Sequence, residues 1–218
     1  MPSSSVKLSA ALRTLTAESH RAAERSPFVR RLIRGPLSLP AYIFYLRELQ
    51  VAYQALESAL RTHSAHPALT QFVRPELFRA VALAEDIEQL TDVSDGEQPV
   101  ESLPYAGQHY ARHLEEIAAE TPAALLAHLY VRYLGDMSGG QMIGQAIQRQ
   151  FELPDEVGLN FYNFADIPDL DAYKEQFRNW IDETPLTENE RSLVLEEAVR
   201  GFDLSNAIFD EAERLGVE

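Results

Sequence analysis

Four of the ten glycines in this chain fall within ten residues: Gly135, Gly139, Gly140 and Gly144. They lie among strong helix formers, although each glycine inside a helix costs about 1 kcal/mol relative to alanine. Gly135 and Gly139 are four residues apart, so on a helix they share a face, and Arg132 and Asp136 lie close beside it. This spacing indicates a bare helix face that a flat, rigid ligand can approach. A loop between helices, or close helix packing, would also explain the glycines.

His20 is the histidine whose neighbours best suit a metal ligand, among six in the chain. On a helix, Arg13 lies two turns before His20 and Glu24 one turn after it, on the same side. A carboxylate in that position can hydrogen-bond one ring nitrogen and leave the other free for a metal. A lone helical histidine more often has only a structural role, so the case for His20 depends on the residues around it.

Two further pairs of ionisable residues are spaced one helical turn apart. His109 and His113 could bind zinc as a pair, but no carboxylate cluster accompanies them, and we interpret them as a solvated helix face. Lys174 and Arg178 suit a solvated face, or the two carboxylates of an acidic ligand. Together with His20 and the bare glycine face, the second interpretation describes a flat, dianionic ligand whose metal accepts one histidine. Heme fits that description.

The elements that must position these residues are helices, because apolar residues recur with helical period nearly throughout. The predicted helices span residues 8–24, 40–62, 75–90, 105–120, 122 to beyond 133, 171–182 and 188–215. Ser38, Thr121 before Pro122, and the pair Thr187 and Glu190 are expected to begin three of them. No strand pattern or internal repeat is visible. The sequence therefore predicts a single all-α domain over residues 1–218, with about seven to nine helices.

Composition excludes several classes of function. The chain has no cysteine, which removes disulfides, thiolate metal sites and cysteine nucleophiles. The net charge of −15 argues against nucleic-acid binding. Because no signal-peptide core or run of about 18 apolar residues occurs, we expect a soluble, cytoplasmic protein without a membrane partner. Residues 1–34 nevertheless carry +5, and this basic head would suit an anion or, less well, a transit peptide.

Two segments resemble the heme oxygenase family: LRTLTAESHRAAE at 12–24 and AHLYVRYLGDMSGGQ at 127–141. The second is similar to the family's signature segment, which is long and specific. Weaker similarity in YKEQFRNW at 173–180 and EEAVRGF at 196–202 extends the resemblance over almost the whole chain. The resemblance implies an all-α fold in which heme b lies between a proximal and a distal helix.

The same resemblance implies roles for individual residues. His20 is expected to be the axial iron ligand with Glu24 beside it, and Gly135 and Gly139 to be distal glycines whose backbone lies against the porphyrin. Asp136 matches the distal carboxylate that orders a water network. Arg132 and Tyr53 match members of the same network. Phe202 matches an aromatic residue of the pocket wall. The residues that match positions in contact with the heme propionates are Arg13, Tyr130, Lys174 and Arg178.

Two positions depart from the family pattern. Ala17 stands where many members carry a second lysine that binds a propionate, which is expected to weaken heme binding or loosen heme orientation. Ser205 stands where others have an asparagine of the distal network, although Asn206 follows it. The second departure leaves the outer end of the network undefined. Neither departure touches the central positions.

The resemblance implies an enzyme that opens heme to biliverdin, at the α edge, with release of carbon monoxide and ferrous iron. Heme would be both substrate and cofactor, O₂ the co-substrate, and a ferredoxin or a reductase the electron donor. A bilin acceptor is a further possible partner. The main alternative is a non-catalytic heme-binding module for storage, delivery or sensing. A thiaminase-type enzyme of related fold would use a cysteine nucleophile, which this chain lacks. A helical interaction protein would leave the glycines unexplained.

Overall fold

The computed structural model describes residues 6–94, 103–155 and 157–215. These residues form ten α-helical segments and no strand: α1 Leu8–Leu15, α2 Ala17–Arg25, α3 Pro27–Arg34, α4 Leu39–Thr62, α5 Ala80–Val93, α6 Tyr105–Glu120, α7 Leu125–Leu129, α8 Gly135–Gln150, α9 Leu170–Glu183 and α10 Glu188–Leu215. A π-helical stretch, Tyr130–Leu134, joins α7 to α8. Residues 125–150 are therefore one continuous helix, and the described chain has nine separate helices. The predicted all-α class is confirmed.

The N-terminal region departs from the predicted single helix over 8–24. The chain turns at Thr16, whose φ and ψ are −88° and 1°, and this residue separates α1 from α2. The Thr16 hydroxyl donates to the Leu12 carbonyl at 2.8 Å, alongside the Thr16 N–H at 2.9 Å, an arrangement that often bends helices. The sequence analysis missed α3, although Ser26 followed by Pro27 is a helix-start pattern and the Ser26 side chain does cap it. Helix α2, which carries His20, is consequently a short, separate element with no buried residue.

Two of the three predicted helix starts are confirmed by their side-chain hydrogen bonds. Ser38 Oγ accepts from the backbone N–H of Ala41 at 3.3 Å at the start of α4. Before α10, Thr187 and Glu190 form the reciprocal capping box, with the Thr187 N–H donating to Glu190 Oε2 at 2.7 Å. Thr121 does stand at the N-cap position before Pro122, as predicted, but its side chain makes no capping bond and the first turn is a 3-10 turn that leads into α7.

Helix α5 begins later than the predicted start at Pro75. Pro75 opens only a 3-10 turn, and α5 starts at Ala80. The buried carboxylate of Glu57, on α4, accepts the N–H groups of Arg79 at 2.5 Å and Ala80 at 3.0 Å. A side chain distant in sequence therefore satisfies the free N–H groups at this helix start. A local pattern gives no sign of such a contact.

Helix α4 is the central element, because it packs against α5, α6 and α10 and most of its residues are buried. The buried apolar residues form one cluster that runs from α1 to α10. Tyr53 lies in this cluster between the rings of Tyr133 and Phe161, with ring centroids 5.7 and 5.6 Å away. None of the described helices is both long enough and apolar enough to cross a membrane. The core thus packs Tyr53 of α4 against Tyr133, which lies on the helix that also carries the glycines.

Candidate functional site

A cavity of about 540 Å³ lies between α1 and α2 on one side and the helix over residues 125–150 on the other. This volume is within the usual range for small-molecule sites. Six of the twelve predicted site residues line the cavity: Arg13, His20, Tyr130, Gly135, Arg178 and Phe202. The structure therefore brings together residues from five segments of the chain around one space. The cavity is the candidate functional site.

The His20 side chain lines the cavity and is 57% exposed. Its Nδ1 lies 3.5 Å from Glu24 Oε1, one turn along α2, as the spacing predicted. The Phe202 ring meets the imidazole edge-on, with 5.9 Å between ring centroids. Glu24 itself is 63% exposed and does not line the cavity. Because Glu24 is positioned at Nδ1, Nε2 remains available to a metal.

The four clustered glycines serve two different faces of one helix. At Gly135 and Gly139 an added Cβ would meet nothing within 4 Å, and Gly135 lines the cavity. At Gly140 and Gly144 an added Cβ would lie 3.2 Å from the Tyr162 side chain. Gly135 and Gly139 therefore form a bare face, whereas Gly140 and Gly144 pack closely against the connection between α8 and α9 and not against another helix. The loop interpretation is wrong, because all four glycines lie in α8.

Asp136, Tyr53 and Arg132 do not line the cavity but form a polar cluster beside its wall, since Asp136 follows Gly135 directly. The Tyr53 hydroxyl donates a hydrogen bond to Asp136 Oδ2. Arg132 Nη2 lies 3.6 Å from Asp136 Oδ1, and Arg132 Nε donates to the Tyr53 oxygen at 3.3 Å. The Asp136 side chain keeps 12% exposure. The cluster therefore holds one carboxylate in a fixed, nearly dry position next to the cavity.

Burial sets the protonation behaviour of this cluster. It raises the pKa of Asp136, while the Arg132 charge and the Tyr53 hydrogen bond act in the opposite direction. Burial also raises the pKa of Tyr53 well above its usual value, so Tyr53 stays a neutral donor. Asp136 thus takes up a proton more readily than an exposed aspartate would. A carboxyl with a raised pKa is better suited to proton transfer than an ordinary aspartate.

Ser205, the second departure from the family pattern, does take part in the cluster. Arg132 Nη1 donates to Ser205 Oγ at 3.3 Å, and Ser205 Oγ donates to the Gly201 carbonyl at 2.8 Å. The neighbouring Asn206 does not replace it, since Asn206 Oδ1 is buried without a hydrogen-bond partner among the described residues. The outer end of the cluster is therefore a serine hydroxyl held by the backbone of α10.

Lys174 is the predicted ligand residue that the structure holds away from the cavity. Its Nζ lies 2.6 Å from Asp171 Oδ1, three residues earlier on α9, and Lys174 does not line the cavity. Arg178, one turn further on, does line it. Because Lys174 forms an ion pair with Asp171, only Arg178 of the predicted pair borders the cavity. Asp171 is visible in the sequence three residues before Lys174, but its ion pair with Lys174 was not predicted.

Arg21 lines the cavity and was missed by the sequence analysis. Its position was readable, because Arg21 follows Ala17 by one helical turn, and Ala17 also lines the cavity. Because a helical side chain tends to cover the turn before its own Cα, we expect Arg21 to extend toward the space that Ala17 leaves open. Within the described ranges Arg13, Arg21 and Arg178 form no hydrogen bond or ion pair. Three unpaired guanidinium groups therefore border the site.

The interpretation of His113 as part of a solvated face is wrong. Its side chain is only 16% exposed, and its Nε2 lies 2.8 Å from Glu197 Oε2. The buried His128 shares the same oxygen at 3.1 Å. His109, one turn before His113, does remain exposed. The missing carboxylate comes from α10, and no spacing in the sequence reveals it.

Residues 6–211 of this chain match the family model described as "Heme oxygenase". Heme oxygenase 1 of Synechocystis sp. PCC 6803 is 34% identical over 209 residues, covering 96% of this chain and 86% of that protein. The structure of heme oxygenase from Leptospira interrogans has a TM-score of 0.86 at 34% identity, covering 94% of this chain and all of that one. Heme oxygenase-1 of Synechocystis in complex with heme also has a TM-score of 0.86, at 32% identity, covering 95% and 93%.

The chain belongs to the heme oxygenase family. The family predicted from residues 12–24 and 127–141 is thereby confirmed, and so is the prediction of an oxygenase rather than a non-catalytic module. The comparisons concern the chain as a whole. The roles of the individual site residues remain predictions.

Proposed function

We propose that this chain binds heme b in the cavity and opens it, with O₂ and reducing electrons, to α-biliverdin, carbon monoxide and ferrous iron. The observation that carries the proposal is the pairing of two opposed walls. An exposed imidazole, His20, lies on one wall, and a helix face without side chains, at Gly135, forms part of the other. A flat ligand with a central metal suits such a space, and the Synechocystis relative has been crystallised with heme.

The residues around the cavity fit heme. His20 Nε2 would bind the iron while Glu24 orients the ring from Nδ1. Gly135 and Gly139 leave open space where a side chain would obstruct the porphyrin. Arg13 and Arg178 would bind the two propionates through charge-assisted hydrogen bonds, together with the Tyr130 hydroxyl. Phe202 would pack against the ring system beside His20.

Heme, when bound, supplies both the iron that reacts with O₂ and the ring that is oxidised. The contribution of this chain is to control protons and water near that reaction. Asp136 would hold a water in the cavity and pass protons through it, because its carboxyl is anchored by Tyr53 and Arg132 and its pKa is raised by burial. The bare Gly135 face keeps acidic side chains from direct contact with the reacting atoms, since nothing projects there.

The electron donor would dock on the basic head. Five arginines of α1 to α3 form no ion pair with any described residue: Arg13, Arg21, Arg25, Arg30 and Arg34. They lie on the helix that carries His20 and on the two helices next to it in sequence, so an acidic donor such as a ferredoxin, or a reductase, would be steered toward the heme edge despite the net charge of −15. Such steering predicts that the reduction rate falls as salt rises. A bilin acceptor would take the product, and a cytoplasmic location would give access to such a donor.

The direct test is anaerobic titration with heme, followed by reductant and O₂, with chromatography of the products. We expect the Soret band to appear on titration and to give way to a bilin spectrum on turnover, with α-biliverdin as the product. A Soret band that persists under turnover conditions would instead support the non-catalytic module. Failure to bind heme would remove the proposal altogether.

A further inference from the structure

Three side chains outside the cavity bring their donor atoms together between α6, α7 and α10. Nε2 of His113 and Nε2 of His128 lie 2.8 and 3.1 Å from the same Glu197 oxygen. All three donor atoms lie within 4.8 Å of one another. We propose that His113, His128 and Glu197 form a second metal site, for a divalent transition ion such as Zn²⁺. The proposal does not depend on heme binding, because none of the three residues lines the cavity.

The orientation of His128 favours a ligand role. Its ring is fully buried, and its Nδ1 lies 2.9 Å from the hydroxyl of Tyr110, which is 1% exposed. The other ring nitrogen, Nε2, consequently points at Glu197. Gly201 allows this position, since an added Cβ there would lie 3.3 Å from His128 Nδ1. Metal-binding histidines are commonly held in this way, by a hydrogen bond to the nitrogen that does not bind the metal.

Metal binding requires a change of tautomer at His128 and at His113, and a small separation of the donor atoms. In the metal-free state Nε2–H donates to Glu197 and the Tyr110 hydroxyl donates to Nδ1. With an ion at Nε2, the ring proton lies on Nδ1 and is donated to the Tyr110 oxygen. A tyrosine hydroxyl both donates and accepts, so the buried contact is kept in either state. His113 changes in the same way, with its Nε2 proton moving to Nδ1. The contact between Tyr110 and His128 Nδ1 is therefore kept when the ion binds.

The donor set and the access both suit Zn²⁺ with an open position. Two imidazoles and one carboxylate are typical ligands of zinc and related ions, rather than of calcium or magnesium. The side chains of His113 and Glu197 keep 16% and 19% exposure, so an ion can enter from solvent and a water can complete a tetrahedral set. A bound ion would link α6 and α10 to the helix over 125–150, which carries the Asp136 cluster.

The experiment measures metal binding to the heme-free, full-length chain by calorimetry with Zn²⁺ and by absorbance with Co²⁺. We expect one Zn²⁺ per chain, tetrahedral Co²⁺ bands and a melting temperature that rises with Zn²⁺ concentration. His113→Ala should weaken binding about 100-fold, and Tyr110→Phe about tenfold. His109→Ala, one turn away on the same helix and exposed, is the matched control and should bind normally.

A His20→Ala variant should also keep the Zn²⁺ site, which separates it from the cavity. Glu197→Gln preserves the shape of the side chain and should lose Zn²⁺ while heme titration shows an intact fold. Zn²⁺ affinity no tighter than roughly millimolar would overturn the proposal. So would equal binding by His113→Ala and the wild type. Either result would leave the cluster as a hydrogen-bonded contact between helices, and would not affect the proposed heme activity.

Discussion

Two histidine–carboxylate pairs in this chain have the same chemistry but opposite surroundings. His20 and Glu24 lie on α2, are 57% and 63% exposed, and border the cavity. His128 is fully buried, and its partner Glu197 is only 19% exposed. One nitrogen of His20 is free of protein contacts, whereas both nitrogens of His128 are engaged, by Tyr110 and Glu197. The accessible nitrogen of His20 suits a large ligand such as heme, whereas the enclosed His128 nitrogen leaves room only for a single ion.

The largest expected effect separates these two histidines. His20→Ala should lose the histidine-ligated heme spectrum, and added imidazole should restore it, because a free imidazole can fill the space of the missing ring. His128→Ala should keep that spectrum but lower the free energy of unfolding by about 2–4 kcal/mol, since it leaves a buried cavity and unpaired partners. Optical titration and denaturant unfolding measure the two effects. A normal heme spectrum in His20→Ala would show that a residue other than His20 binds the iron.

The next effect concerns the buried carboxyl beside the cavity. Asp136→Ala should bind heme almost as well as the wild type, because the proposed iron and propionate contacts lie on other residues. Its rate of biliverdin formation should fall about 100-fold, since the proposed proton relay is gone. Asp136→Asn should retain more activity if ordering of water matters more than charge. Biliverdin formed by Asp136→Ala at the wild-type rate would show that Arg132 or Tyr53 anchors the water instead.

A glycine-to-leucine change should affect catalysis on one face of α8 and stability on the other. Gly139→Leu should fold normally, because an added Cβ meets nothing within 4 Å, yet impair turnover or shift the oxidised edge. Gly144→Leu should lower the free energy of unfolding by about 1–3 kcal/mol, since its Cβ would press on Tyr162 at 3.2 Å. Product chromatography and thermal unfolding of both variants are the measurements. Unaltered product composition and rate in Gly139→Leu would contradict a porphyrin contact at that residue.

The interior also contains a carboxyl that responds to pH. Glu48 is fully buried, its Oε2 accepts the Gly107 N–H, and Glu211 caps the same start of α6 through Ala106 at 2.7 Å. Burial, assisted by Glu211 and opposed by the Gly107 bond, raises the pKa of Glu48 from 4.5 to about 8. The folded chain therefore holds a proton that the unfolded chain has lost.

The free energy of unfolding should consequently fall as pH rises from about 5 to about 8. Glu48→Gln cannot ionise and should lose much of this slope while keeping the hydrogen bond to Gly107. Denaturant unfolding across that pH range tests the sign. Glu115→Gln, an exposed change on α6, is the control and should keep the wild-type slope. An identical slope in Glu48→Gln would mean that Glu48 is ionised in the folded chain.

Local patterns predicted the parts of this molecule that depend on nearby residues. The helical periods, the capping box at Thr187 and the single turn between His20 and Glu24 are all set within a few residues, and the structure has them. The helix start at Ala80 was not predictable in this way, because Glu57 caps it from 22 residues away. The same limit hid the contact between His113 and Glu197, 84 residues apart.

The sequence predicted the chemical character of the cavity, but it did not predict the full set of cationic side chains that line it. Lys174 was a predicted propionate ligand but is held outside the cavity by Asp171, whereas Arg21, which lines the cavity, was not predicted. Spacing does not separate the two cases, because Arg21 also has carboxylates three residues away on either side, Glu18 and Glu24. Arg21 pairs with neither of them in the structure, so only the structure shows which cation stays available to a ligand.

The smallest expected effect concerns Arg21, the cation at the cavity that was not predicted. Arg21→Ala should weaken heme binding about three- to tenfold, because an exposed guanidinium contributes a modest charge-assisted contact to a propionate. Arg25→Ala removes the same charge from the same helix but from a position that does not line the cavity, so it should leave the affinity unchanged. Equilibrium titration of heme at fixed salt compares them. Equal affinities of the two variants would show that Arg21 acts only through general charge.

Two further measurements isolate the propionate contact at Arg21. The dimethyl ester of heme lacks the two carboxylates, so Arg21→Ala and the wild type should bind it equally. Ala17→Lys, added to Arg21→Ala, should restore binding of ordinary heme, because a lysine one turn earlier reaches the space over which Arg21 now extends. Rescue by Ala17→Lys together with loss of the difference on the ester would place the cation at a propionate. A deficit that persists on the ester would mean that Arg21 packs against the porphyrin instead, through its apolar stem.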